Sequence, residues 1–135
     1  VWDGGAKLPT KTKFDGILVD APCSGIGTWQ RNPHARWSTV LQDVTELAEV
    51  QKKLLNHVAG SVKPGGKLIY SVCTLSRNET SEVADQFTAT HPEFEPLSAP
   101  ASLVDAVQST QPGQYWAWPQ KLGGNGMFIA AWRRK

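Results

Sequence analysis

Phe14-Asp15-Gly16-Ile17-Leu18-Val19-Asp20, closed by Ala21-Pro22-Cys23-Ser24-Gly25, is the stretch on which the fold turns. Its continuous Ile-Leu-Val suits a strand buried on both faces, the mark of a parallel sheet rather than of an alternating, half-solvated one. Downstream, Val44, Leu47, Leu54, Leu55 and Val58 recur at helical spacing, with Asp43, Glu46 and Glu49 early and Lys52-Lys53 later. Acids near the positive end of a helix dipole and bases near its negative end agree with a helix over 43–61. Lys63-Pro64-Gly65-Gly66 then reads as a stop and turn, and Lys67-Leu68-Ile69-Tyr70-Ser71-Val72-Cys73 as a second buried strand. A connection that long and that helical predicts parallel strands with a right-handed crossover. The expected class is α/β, built on a βαβ core.

Outward from that unit the signals weaken. Residues 1–13, with Gly4-Gly5, Pro9 and three lysines, have no sustained period and read as a connector; residues 14–135 read as the folded part. Ser76 and Glu79 have capping-box spacing, which predicts a helix over 78–90, stopped by Pro92. From Glu95 to Gly113 there is no clear period, and a flexible excursion is expected. Tyr115–Trp118 and Met127–Trp132, separated by Pro119 and Gly123-Gly124-Asn125-Gly126, read as a closing pair of strands.

At 135 residues the chain has the size of one domain, and 40% hydrophobic with 19% charged residues at net +2 excludes wholesale disorder. No apolar run approaches the ~18 residues of a membrane span. The first residues, with Asp3, Lys7, Lys11 and Asp15, do not form a signal peptide. A soluble, cytoplasmic protein is expected. Because the chain starts at Val1 and its one methionine is Met127, a piece of a longer translation product is expected too. Residues 106–135 hold Lys121, Arg133, Arg134 and Lys135 and no acid, which reads as a solvated tail or a phosphate-facing one. Six tryptophans can fill a core or stack on bases.

The two cysteines carry the chemistry. With His34, His57 and His91 scattered between them, Cys23 and Cys73 lack zinc-ligand spacing, so no metal is expected. Each lies at or just past the carboxyl end of a predicted parallel strand. Neighbouring strands are ~4.8 Å apart, so both thiols and Asp20 would face the crevice where open α/β sheets bind ligands. Taken singly, each cysteine reads as a small core residue, as a lone cysteine near a strand end usually is, and Asp20 can be read as a turn cap. Gly25-Ile26-Gly27 lacks the third glycine of a dinucleotide fingerprint and is assigned to the turn.

In order and spacing, Asp20-Ala21-Pro22-Cys23-Ser24-Gly25, Arg31-Asn32-Pro33, Arg36-Trp37, Gln51, Lys63-Pro64-Gly65-Gly66, Tyr70-Ser71-Val72-Cys73-Thr74, Asn78-Glu79 and Gly124-Asn125-Gly126-Met127-Phe128-Ile129-Ala130 resemble the Sun/Nop family of RNA 5-methylcytosine methyltransferases. The resemblance implies the carboxyl-terminal half of a Rossmann-like, S-adenosylmethionine-dependent methyltransferase fold, with a parallel βαβ core and closing antiparallel strands. It implies methyl transfer to carbon 5 of cytosine in RNA, ribosomal RNA of a bacterium above all. Cys73 would be the nucleophile, Cys23 would act in release, Asp20 would hydrogen-bond the cytosine edge, and Asp20 and Pro22 would lie at the cofactor. Val72 stands where the family more often has threonine, and Gln120 where a histidine often follows the proline. The family's glycine-rich cofactor loop, ribose-binding acid and RNA-binding extension lie upstream of the Asp-Ala-Pro-Cys strand. The chain alone is therefore expected to be inactive, and an open sheet edge to favour self-association. Two other readings stand beside this one. One is a non-catalytic RNA or protein interaction module using Trp116, Trp118 and the basic tail; the other is a thiol redox protein cycling a Cys23–Cys73 disulfide.

Overall fold

Strand β1 (Phe14–Asp20) leads through a short helix α1 (Ala35–Ser38) into the long helix α2 (Leu41–Ala59), which returns the chain to strand β2 (Val62–Val72). Beyond it come α3 (Ser81–Thr90), β3 (Phe94–Pro96), β4 (Gln108–Gln111), β5 (Gln114–Ala117), α4 (Pro119–Leu122) and β6 (Met127–Arg134). This computed structural model describes Gly4, Gly5 and residues 8–135; the connector expected over 1–13 falls partly on residues 1–3, 6 and 7, outside the described residues.

β1 and β2 pair in parallel, as the buried runs and the intervening helix require, with Ile17 opposite Leu68, Val19 opposite Tyr70 and Asp20 opposite Ser71. β6 lies antiparallel on the other side of β2, and its far edge takes β5 along Met127–Ala130 and β3 along Trp132–Arg134. The sheet order is β1-β2-β6-β5-β4, a mixed sheet with a parallel pair at one end and the expected antiparallel closure at the other. Lys63-Pro64-Gly65-Gly66 does not end before β2 begins. It lies within the strand as a bulge, where the register jumps from Phe14 opposite Val62 to Gly16 opposite Lys67. Gly65 has φ +77°, a value that L side chains rarely adopt.

Helix α2 starts where the Asp43 carboxylate accepts the Val40 N–H at 2.9 Å. It buries Val44, Ala48, Gln51, Leu55 and Val58, a 4-3-4-3 stripe. That stripe and the Val83, Ala84 and Phe87 face of α3 close over the sheet face that carries Leu68, Tyr70, Val72, Phe128, Ala130 and Trp132. Each valine, leucine or phenylalanine among them contributes roughly 1.5–3 kcal/mol on burial. The Trp132 indole N–H, which burial would otherwise strand, donates to Thr88 Oγ1 at 3.0 Å.

On the opposite face, residues 97–107 shelter Ile69, Ile129 and Ala131. This stretch is not the structureless excursion expected, because β3, a 3-10 turn at Ala101–Leu103 and β4 tie it down. Leu18 lies outside that shelter and is 64% exposed, with Phe14 at 37%. The expectation of a first strand buried on both faces is therefore corrected: α2 covers one face of β1, and among the described residues nothing covers the other. No described strand pairs its outer edge either. The terminal basic run is not a solvated tail. Arg134 lies in β6, donates to the Val62 carbonyl at 2.6 Å and stands over the Phe94 ring, while Lys135 Nζ donates to the Pro92 carbonyl at 2.7 Å.

Candidate active site

The parallel pairing of β1 and β2 brings the two cysteine segments together at the carboxyl ends of adjacent strands. The ladder runs one step past the strand, with Ala21 N–H donating to the Ser71 carbonyl at 3.0 Å. The chains then turn so that Cys23 Sγ and Cys73 Sγ lie 3.4 Å apart, both thiols free and half-buried. This is a hydrogen-bonded contact and not a bond, since a disulfide needs about 2.05 Å. Asp20 lies at the same strand end, where Ser71 Oγ donates to its Oδ1 at 2.7 Å. Its carboxylate spans the two strands rather than capping a turn, and it remains exposed.

Close backbone approach sets this geometry. Gly27 N–H donates to the Cys73 carbonyl at 3.0 Å, and the Gly27 carbonyl accepts Gly126 N–H at 2.8 Å. A Cβ on Gly27 would lie 2.1 Å from the Gly126 oxygen, so only glycine fits where the Cys23 loop meets the Cys73 loop and the start of β6. Glycine at this position thus serves the juxtaposition of the two loops, beyond the turn assigned to it from the sequence.

Beneath the thiols lies a polar cluster not expected from the sequence. The Glu79 carboxylate is fully buried. It accepts Ser24 N–H at 2.8 Å, Ser24 Oγ–H at 2.5 Å, Gln51 Nε2 at 3.1 Å and Thr74 Oγ1–H at 3.1 Å. Gln51 also donates to the Pro22 carbonyl at 2.9 Å. The capping box expected of Ser76 and Glu79 does not form: Ser76 makes no side-chain cap bond, and the Glu79 side chain turns inward to these donors instead. The signal that would have found the cluster is Gln51 itself, a polar residue on the buried stripe of α2.

Burial pushes the Cys23 thiol up to about 12, with the hydrogen bond and charge of Cys73 adding to it and a hydrogen bond from the Gly25 backbone opposing it. Near neutral pH, Cys23 therefore keeps its proton. Tyr70 is raised by burial and by the negative Glu79, and its hydroxyl donates to the Glu79 carbonyl oxygen at 2.6 Å.

Asp20 and Pro22 also border an open groove of about 730 Å³ along β1 and α2, walled by Ile17, Leu18, Val50 and Leu54. The wall is mostly apolar, with the exposed Asp20 carboxylate, Lys53 and His57 as its titratable groups, a lining of the kind that takes a small organic cofactor. Trp116 and Trp118 do not form an exposed platform. They stack on each other at 5.4 Å, and Trp116, 7% exposed, lies in the core, which takes it out of the surface expected for an interaction module, while Trp118 stays half-buried. Among the described residues the exposed indole is Trp37, at 83%, with the Arg36 guanidinium over its ring.

Known proteins are similar to this chain in sequence and in fold. A probable ribosomal RNA small subunit methyltransferase B of Bacillus subtilis is 42% identical over 125 residues, 91% of this chain and 28% of that protein. Among solved structures, PH0851 superposes with a TM-score of 0.80 at 34% identity, covering 89% of this chain and 26% of that one. NSun6 from Pyrococcus horikoshii with SFG superposes with a TM-score of 0.75 at 26% identity, covering 93% and 31%. The fold is thus the Rossmann-like methyltransferase fold, of which the chain spans about a quarter of the length of the curated relatives it matches. Residues 3–133 match the model for 16S rRNA methyltransferase RsmB/F, and the chain belongs to that family.

Proposed function

We propose that this chain supplies the thiol-bearing half of an RNA 5-methylcytosine methyltransferase acting on ribosomal RNA in the bacterial cytoplasm. One observation carries the reading: two free thiols 3.4 Å apart, at the ends of adjacent parallel strands, beside a carboxylate held by Ser71. Carbon 5 of cytosine is a poor nucleophile until a thiolate adds at carbon 6 and pushes electron density into the ring. Cys73 is that nucleophile. Asp20 hydrogen-bonds the cytosine edge and favours the charge that builds at the ring nitrogen, an interaction strongest in the transition state. Asp20 and Pro22 would hold S-adenosylmethionine, which when bound supplies an electrophilic methyl group.

After transfer, the carbon 5 proton leaves, the 5,6 double bond re-forms and the Cys73 sulfur is expelled. Cys23 serves this release. Its Sγ lies 3.4 Å from the sulfur that leaves. The test is incorporation of labelled methyl into small-subunit ribosomal RNA by the full-length protein that carries this sequence, with the product nucleoside identified by mass. 5-Methylcytidine is expected. Methylation at another atom, or none, would overturn the reading.

A further inference from the structure

The Glu79 cluster has no reacting group in it, yet it ties together the two loops on which the chemistry depends. Ser24 follows Cys23 and Thr74 follows Cys73, and both bind the same buried carboxylate, while Gln51 reaches from α2 to Glu79 and to the Pro22 carbonyl. Ser24 Oγ and Thr74 Oγ1 also meet directly at 2.9 Å. Both N–H donors of Gln51 are used on Pro22 and Glu79, and its Oε1 is buried without a partner. An orphaned buried oxygen costs stability, so the amide is held in this orientation by its two acceptors.

We propose that Glu79 is a positioning residue that sets the separation of the Cys23 and Cys73 sulfurs by anchoring Ser24, Thr74 and, through Gln51, the Pro22 turn. The inference rests on the methyltransferase reading for its consequence in catalysis, but the separation itself can be measured without it. Shifts of about 1 Å in a reacting group cost on the order of 100-fold in rate. Three hydrogen bonds from Ser24 and Thr74, the residues that follow the two thiols, and a fourth from Gln51 are placed to prevent such a shift.

The test uses the full-length protein with two readouts. The first is methylation, with kcat and KM separated. The second is the rate at which diamide, itself reduced to the hydrazine, oxidises the two thiols to an intramolecular disulfide, a probe of their separation that needs neither RNA nor cofactor. Glu79→Ala should lower kcat by about 100-fold with KM for RNA within about twofold, and change the disulfide rate by about tenfold. Glu79→Gln should lose only about threefold to tenfold in kcat. Its amide oxygen still accepts from Ser24 N–H and Gln51, and the Ser24 and Thr74 hydroxyls can turn to accept from its NH₂. Glu79→Met, which fills the volume but accepts no such hydrogen bonds, should behave as Glu79→Ala in both readouts, whereas a merely space-filling role would make it behave as Glu79→Gln. Should Glu79→Ala fail to fold, Thr74→Val removes one arm of the clamp and is expected to alter both readouts by about threefold. Folded variants with unchanged kcat and unchanged disulfide rate would overturn the proposal. Absence of methylation in the wild type would instead strike the functional reading, and the disulfide rates would still decide the positioning.

Discussion

Cys23 Sγ and Cys73 Sγ lie 3.4 Å apart although fifty residues separate them in the chain, and the contact exists because Asp20 pairs with Ser71 in the parallel ladder just beneath. Neighbouring strands fix the spacing of the loops that leave them, and the Gly27–Cys73 and Glu79–Ser24 bonds fix the rest.

In the full-length protein, Cys73→Ala is expected to reduce methylation to background, whereas Cys23→Ala should slow release and accumulate a covalent RNA–protein adduct. General acid–base groups typically contribute 10²–10⁴-fold, so turnover of the Cys23 variant should fall by about that much. Denaturing gels with labelled RNA separate the two outcomes. An adduct with Cys73→Ala and none with Cys23→Ala would reverse the assigned roles.

Mild peroxide should inactivate the protein by joining the two sulfurs, both thiols being oxidised while the peroxide is reduced to water. Closing from 3.4 Å to about 2.05 Å asks only a small shift of two half-buried side chains. Dithiothreitol is expected to restore activity, and intact mass should show two hydrogens lost on oxidation and regained on reduction. Substitution of either cysteine by serine must abolish the mass change.

Stability should fall at alkaline pH. Unfolded, Cys23 ionises near its ordinary 9.0; folded, it holds its proton to about 12. Between those values the unfolded chain binds fewer protons than the folded one, so raising the pH favours unfolding, and below them the group has no effect. Tyr70, also raised, acts in the same direction. Urea titrations at about pH 7 and about pH 10 are expected to show a lower midpoint at the higher pH, with a smaller drop in Cys23→Ser. An equal drop in that variant would remove Cys23 from the explanation.

Gly27→Ala forces a methyl to within 2.1 Å of a backbone oxygen and 3.0 Å of the Cys73 carbonyl, with no flexible side chain to give way. Overpacking of this kind costs about 1–3 kcal/mol. A lower midpoint of thermal unfolding is expected, together with a methylation loss larger than stability alone explains at permissive temperature. Wild-type behaviour in both would show that the two loops are not held by this contact.

The 135-residue chain by itself is expected to transfer no methyl group and to self-associate, because the outer edge of β1 has no described partner and Leu18 beside it is 64% exposed. Leu18→Lys should weaken that association. Sedimentation over a concentration series reads the association and a methyl-transfer assay the activity; a monomer at every concentration contradicts the edge-pairing expectation, and robust turnover contradicts the other.

Local pattern was enough to place β1, α2, β2, α3 and the closing antiparallel pair, since hydrophobic period, turn residues and charge order are written in consecutive residues. It was also enough to put both cysteines and Asp20 at the ends of parallel strands, and hence in one crevice. What only the tertiary structure decided is everything that depends on partners distant in sequence. Glu79 has the spacing of a helix cap, yet its carboxylate is taken by Ser24, Gln51 and Thr74. Leu18 reads as buried, yet the face it lies on has no described cover. Trp116 reads as either core or a stacking surface and the terminal arginines as a solvated or phosphate-facing tail, yet packing places Trp116 in the core and pairs Arg134 with a β2 carbonyl. Periodicity tells a residue which face of its own element it occupies; whether another element covers that face, and which donor reaches a side chain first, is settled only when the chain has folded.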